Sequence, residues 1–153
     1  MNKQFSTIDT FIKKWNRNES PEKVTGNDIL LVEDELNISL PKSYKYLLTE
    51  YGNIYTTDIL DTIVDNEIDL NDLQNFELPA QALKDSISWQ EAGLPPGYFA
   101  FANDCMGNMF CFKNSECQDE NKEPAVYFFD HDFVEIEKVA ENLLILLDGY
   151  NEI

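Results

Sequence analysis

His131 is the only histidine of the chain, and it stands between Asp130 and Asp132. An imidazole beside carboxylates can serve as a general base, and paired with a thiol it can activate a nucleophile. The available thiols are Cys105, Cys111 and Cys117. Five residues separate each from the next, whereas zinc-binding cysteines usually lie about two to four residues apart. Cys111 also sits between Phe110 and Phe112, the setting of a small buried hydrophobe. His131 is therefore read as a strand-end residue bonded to a neighbouring backbone group or carboxylate, and the cysteines as core. An odd cysteine count argues against a disulfide framework and fits a reducing compartment.

Other catalytic and metal patterns fail on spacing. Asp65, Glu67, Asp69 and Asn71 alternate like the start of a calcium loop. Such a loop needs Gly at its sixth position and Glu at its twelfth, and Leu70 and Phe76 stand there. No glycine loop for phosphate and no strained serine elbow is present. With 29 acids in the chain, no carboxylate pair stands out for glycoside chemistry. The expectation is a protein that works by binding, with no catalytic residues, no metal and no cofactor.

Charge says which partners suit the chain. Eleven basic residues face twenty-nine acidic ones, a net charge of −18. Nucleic acid and anionic membrane surfaces require clustered Lys and Arg, so both are poor partners, and a basic protein is favoured. A small domain needs a net charge of only about 2–8 for solubility, and the excess costs self-repulsion. Residues 1–45 carry seven basic and seven acidic side chains, so all the net charge lies after Lys45. Residues 46–83 hold eight acids and neither Lys nor Arg. Those acids, Glu50, Asp58, Asp61, Asp65, Glu67, Asp69, Asp72 and Glu77, form the first candidate contact surface, with Tyr55 as its aromatic anchor. Asp130, Asp132, Glu135 and Glu137 form the second. Trp89 and Tyr98, near turns, are further candidate anchors.

The elements that position these groups follow from periodicity. The 153 residues suit one domain, 1–153, with no repeat or linker. The N-terminal segment lacks the apolar core of a signal peptide, and no apolar run is long enough to span a membrane, which points to the cytoplasm. Phe5, Ile8, Ile12 and Trp15 recur at helical spacing. Thr25 and Asp28 form a capping box for a second helix burying Ile29, Val32 and Leu36. After Leu40-Pro41, a third helix places Tyr44, Leu47, Leu48 and Tyr51 on one stripe and closes at Gly52. Residues 54–60 read as a strand, and 61–78 as irregular with at most one helical turn. Ala80, Leu83 and Ile87 suggest a helix after Pro79 that closes at Gly93. Tyr98–Ala102, Met109–Phe112 and Ala125–Phe129 are aromatic-rich strands, with Trp15 and the phenylalanines within them expected in the core. Val139, Leu143 and Leu147 mark a final helix. This order predicts an α+β domain with a central, mostly antiparallel mixed sheet flanked by helices.

Three segments together resemble the SUKH superfamily, which includes the yeast cell-wall assembly regulator and many bacterial proteins. The first runs from Val24-Thr25 to Gly52 and includes Ile29, Glu33, Leu36, Leu40-Pro41, Tyr44, Leu47-Leu48 and Tyr51. The second is Phe101-Ala102-Asn103-Asp104 through Gly107-Asn108-Met109-Phe110-Cys111-Phe112, similar to the family's Asp-x-x-Gly-Asp/Asn turn between two strands. The third is Val126 to Asp132, a strand ending in Asp-His-Asp, followed by Val139 to Leu143. Asn53 stands where a second glycine is common, and Lys113 where an acid often follows the strand. The resemblance implies a mixed α+β fold. For bacterial members it implies an immunity role, in which the protein neutralises a cognate polymorphic toxin, often a nuclease or deaminase, by binding it. A regulatory adaptor or a small-ligand-binding domain are the alternative readings.

Overall fold

The computed structural model describes residues 3–153. Helix α1 (Ser6–Trp15) follows a single 3₁₀ turn and buries Ile8, Phe11, Ile12 and Trp15, so the expected stripe faces inward. Helix α2 (Gly26–Leu36) begins at the expected capping box: Thr25 Oγ1 accepts from Asp28 N, and Asp28 Oδ2 accepts from Thr25 N at 2.8 Å. Helix α3 (Lys42–Tyr51) starts after Pro41 and stops at Gly52, whose φ is +83°. A Cβ there would overlap the Glu22 carbonyl, so only glycine fits.

The middle of the chain departs from expectation. Residues 54–60 contribute no strand, only a bridge from Tyr55 to Asn75. Helix α4 (Asp58–Asp65) occupies the stretch read as strand and irregular chain. Ile59 and Ile63 lie one turn apart on its inner side, and Asp58 and Asp61 favour the positive end of the helix dipole. Two turns are too short to establish a period by eye. Strand β1 (Asn75–Phe76) follows. Helix α5 (Pro79–Ser88) has Pro79 in its first turn as expected, and a 3₁₀ turn, Trp89–Ala92, carries the chain to Gly93. Its buried stripe is Pro79, Ala82 and Ser86, one position away from the one expected, while Ala80 and Ile87 are exposed. Ser86 belongs inside because its hydroxyl donates to Ala82 O and accepts from Ala100 N, fastening α5 to the sheet.

Strands β2 (Tyr98–Asn103), β3 (Met109–Lys113) and β4 (Val126–Asp130) match the expected runs. Strand β5 (Glu135–Ala140) takes Val139 from the final helix, which is α6 (Leu143–Asn151), capped by Asn142. The sheet runs β1-β2-β3-β4-β5, and every pairing is antiparallel. One face carries Phe76, Phe99, Phe101, Phe110, Phe112 and Phe128 into the main core with α1, α3 and α6. Tyr44 of α3 meets Phe99, Phe101 and Phe112 ring to ring. The other face holds Ala100, Met109, Cys111 and Phe129 with Leu94, and half-buried Trp89, Tyr98, Tyr127 and Ile136 pack against them. Among the described residues, no helix is long and apolar enough to cross a membrane.

Candidate partner-binding surface

Antiparallel pairing brings the β2–β3 and β4–β5 turns to the same end of the sheet. The first is shaped by Asp104, whose Oδ1 accepts from Met106 N (2.9 Å) and Asn108 N (2.8 Å), while Gly107 supplies a φ of +86°. The second is shaped by Asp130, whose Oδ1 accepts from the amides of Asp132 (3.0 Å) and Phe133 (3.3 Å). Asn108 joins the two turns: its Oδ1 accepts from His131 N (3.1 Å) and lies 2.7 Å from His131 Nδ1, which must donate. His131 Nε2 lies 3.4 Å from Asp132 Oδ1, and the ring sits 5.3 Å from that of Trp89. The Asp-His-Asp sequence is thus a brace between turns, fastened through the His131 amide and Nδ1.

The cysteines stay apart. Cys105 is exposed on the first turn, Cys111 lies inside β3, and Cys117 is buried in the β3–β4 connection. Burial pushes the Cys111 thiol well above its ordinary range and Cys117 up to about 12, so both stay protonated. Among the described residues, no group of three or more His, Cys, Asp or Glu is placed to hold a metal ion.

The segment after α4 runs along this end of the sheet and carries part of the first acidic set to the second. Asp72 Oδ2 accepts from Cys105 N (3.0 Å), and Asn71 O accepts from Tyr150 Oη (2.6 Å). Asn71, Asp130, Glu135 and Glu137, with Phe128 and Ile136, line an open hollow of about 500 Å³. A smaller one of about 230 Å³ adjoins it, lined by Asp69 and Glu137 together with Leu146 and Tyr150. The carboxylates of Asp69, Glu135 and Glu137 have no hydrogen bond or ion pair among the described residues. Such a hollow suits a cationic side chain.

The remaining candidates lie elsewhere. Asp58 pairs with Arg17 at 2.8 Å, a cation supplied from outside the lysine- and arginine-free stretch. Tyr55 is exposed beyond β1, its backbone tied to Asn16 and Arg17. Glu50 is exposed on α3 beside Asp9 and Lys13, and Asp61, Asp65 and Glu67 are exposed on and after α4. Glu77 is half-buried: its Oε1 accepts from Asn75 Nδ2 (2.8 Å) and Asn103 Nδ2 (3.0 Å), and burial raises its carboxyl above the usual range. It holds β1 to β2. Trp89 and Tyr98 are half-buried against the second face of the sheet.

Three apolar residues at the turn end were not singled out from the sequence: Met106, Phe133 and Val134, all exposed. Phe133 had a visible signal, since it lies between Asp132 and Glu135 just past a strand end, outside every helical or strand stripe.

A family model described as SMI1 / KNR4 family (SUKH-1) matches residues 23–149. The match opens just ahead of the α2 capping box and closes within α6, so it includes all five strands and the turn end. No curated protein matches the chain.

Proposed function

Because the chain belongs to the SMI1 / KNR4 family (SUKH-1), we propose that it is an immunity protein, which binds a cognate basic toxin in a one-to-one complex and blocks it without catalysis. The toxin class that suits it is a nuclease or nucleic-acid deaminase, whose substrate groove must be lined with Lys and Arg. The observation that supports this most is the hollow lined by Asp130, Glu135 and Glu137 and continued by Asp69, in a chain of net charge −18. Its free carboxylates can take the cations that would otherwise hold phosphates. The surrounding field adds speed, since steered association reaches on the order of 10⁸ M⁻¹s⁻¹ at low salt. Speed matters against an enzyme that destroys nucleic acid.

Co-expression with the product of the adjacent gene, followed by pull-down and a growth assay, tests the reading. The expected result is a stable complex and restored growth. A non-toxic neighbour with no copurification would sink it and favour the adaptor reading. A groove between α2 and α5, about 310 Å³ and lined by Val24, Leu31, Val32, Leu78 and Leu83, favours the small-ligand alternative. A ligand-induced rise in melting temperature would support that reading.

A further inference from the structure

The chain has ten phenylalanines, and the other nine are at most 8% exposed, whereas Phe133 is 75% exposed. Val134 beside it is 54% exposed, and Met106 on the adjoining turn is 66% exposed. Large apolar side chains grouped in water and rimmed by polar residues mark interaction surfaces. Here the rim is acidic: Asp104, Asp130, Asp132 and Glu135 are carried by the same two turns. The tip is also held in place. Asp130 receives the Phe133 amide, His131 is fixed to Asn108, and a Cβ on Gly93 would overlap Val134 Cγ1, so the turn lies directly on the Gly93 backbone. A turn already held in place loses little backbone freedom on binding.

We propose that Phe133, with Val134 beside it and Met106 on the other turn of the same sheet end, is the apolar anchor that seats this protein on its basic partner: the ring enters an apolar socket edged by lysine or arginine, and Asp132 and Glu135 meet that edge. The inference rests on the immunity reading and names the contact that gives the complex its lifetime. Charge complementarity selects the occupant. A second copy of this chain would bring the same acids face to face, and an anionic membrane would repel them.

The test is binding kinetics with the catalytically inactivated product of the adjacent gene, for wild type, F133A, F133L and the double variant D132K/E135K. Phe133→Ala is expected to speed dissociation about 100-fold, leaving the association rate and its salt dependence unchanged. Phe133→Leu should recover most of the affinity. D132K/E135K should instead slow association and flatten its salt dependence. Because Phe133 is exposed, the melting temperature of F133A should stay within about 2 °C of wild type. An F133A affinity within about twofold of wild type would overturn the anchor and leave the immunity reading standing. A wild-type protein that fails to bind the toxin would overturn both. A homodimer in solution that F133A dissolves would also overturn it, by assigning the tip to self-association.

Discussion

The two ends of the sheet use carboxylates in opposite ways. At the end where residues 114–125 connect β3 to β4, acids are absorbed by the fold. Glu33 Oε2 accepts from Leu40 N (2.7 Å) and pairs with Lys45 (3.0 Å), which also pairs with Glu120 (2.9 Å). Burial works against the Lys45 ammonium, yet its bonds to Glu120 and Glu33 outweigh that and hold its pKa above the usual value. Glu123 accepts from the Ser43 hydroxyl and amide, and Glu116 from Tyr127 Oη (2.5 Å) and Ala125 N (3.2 Å). These bonds clamp the connection to α3 and to β4. At the turn end, Asp104 and Asp130 shape the backbone, but Asp69, Glu135 and Glu137 hold nothing of their own chain among the described residues. Net charge cannot separate these populations. Their partners can.

That contrast breaks first at Glu33. Replacing it with alanine strips the Leu40 amide and leaves Lys45 with one partner, so E33A should lose about 2–3 kcal/mol in urea unfolding. A loss below about 0.5 kcal/mol would mean the clamp is ornamental. Next comes Val134, a β-branched residue held at a φ of +53°. Left-handed backbone costs an L-residue about 1–2 kcal/mol, so V134N should stabilise the fold by about 1 kcal/mol while reducing apolar contact with a partner. A destabilised V134N would show that contact with Gly93 outweighs the strain.

A pH experiment sharpens the clamp end. The Glu116 hydrogen bond, followed by burial, pushes the Tyr127 phenol up to about 12. A raised folded pKa makes this contribution complete below the ordinary tyrosine value of about 10, and it is lost as pH rises from there towards 12. Glu116→Gln should therefore reduce the loss of stability over that interval, read by denaturant unfolding at several alkaline pH values. An identical profile would detach Glu116 from the phenol. The smallest effect belongs to the free acids: E135A and E137A should each change stability by no more than about 0.5 kcal/mol. A larger loss would give them a structural partner.

Local chemistry was legible in the sequence. The Thr25–Asp28 box, the Gly52 stop and the Asp104–Gly107–Asn108 turn involve residues only a few positions apart, so their spacing carries the geometry. The aromatic strands were legible because they are buried on both faces. Strand β5 was hidden because Glu135, Glu137 and Lys138 suit an exposed edge and mask its alternation. The candidate surface was only half legible. Asp130 and Glu135 are near neighbours in sequence, but Asp69 reaches them only through the path of the chain after α4. The cation that pairs with Asp58, Arg17, could not be read from spacing because it lies 41 residues earlier. Phe133 carried a signal in its acidic neighbours, and the burial of the other nine phenylalanines sets it apart.

The most direct test of the division between the two ends is the triple reversal D69K/E135K/E137K, co-expressed with the product of the adjacent gene and scored for growth, with the melting temperature of the purified protein measured alongside. The account predicts a melting temperature at or above that of wild type, because like-charge repulsion is relieved, together with loss of growth rescue. Retained rescue at an unchanged melting temperature would contradict it, because the free carboxylates of the turn end would then have no part in binding.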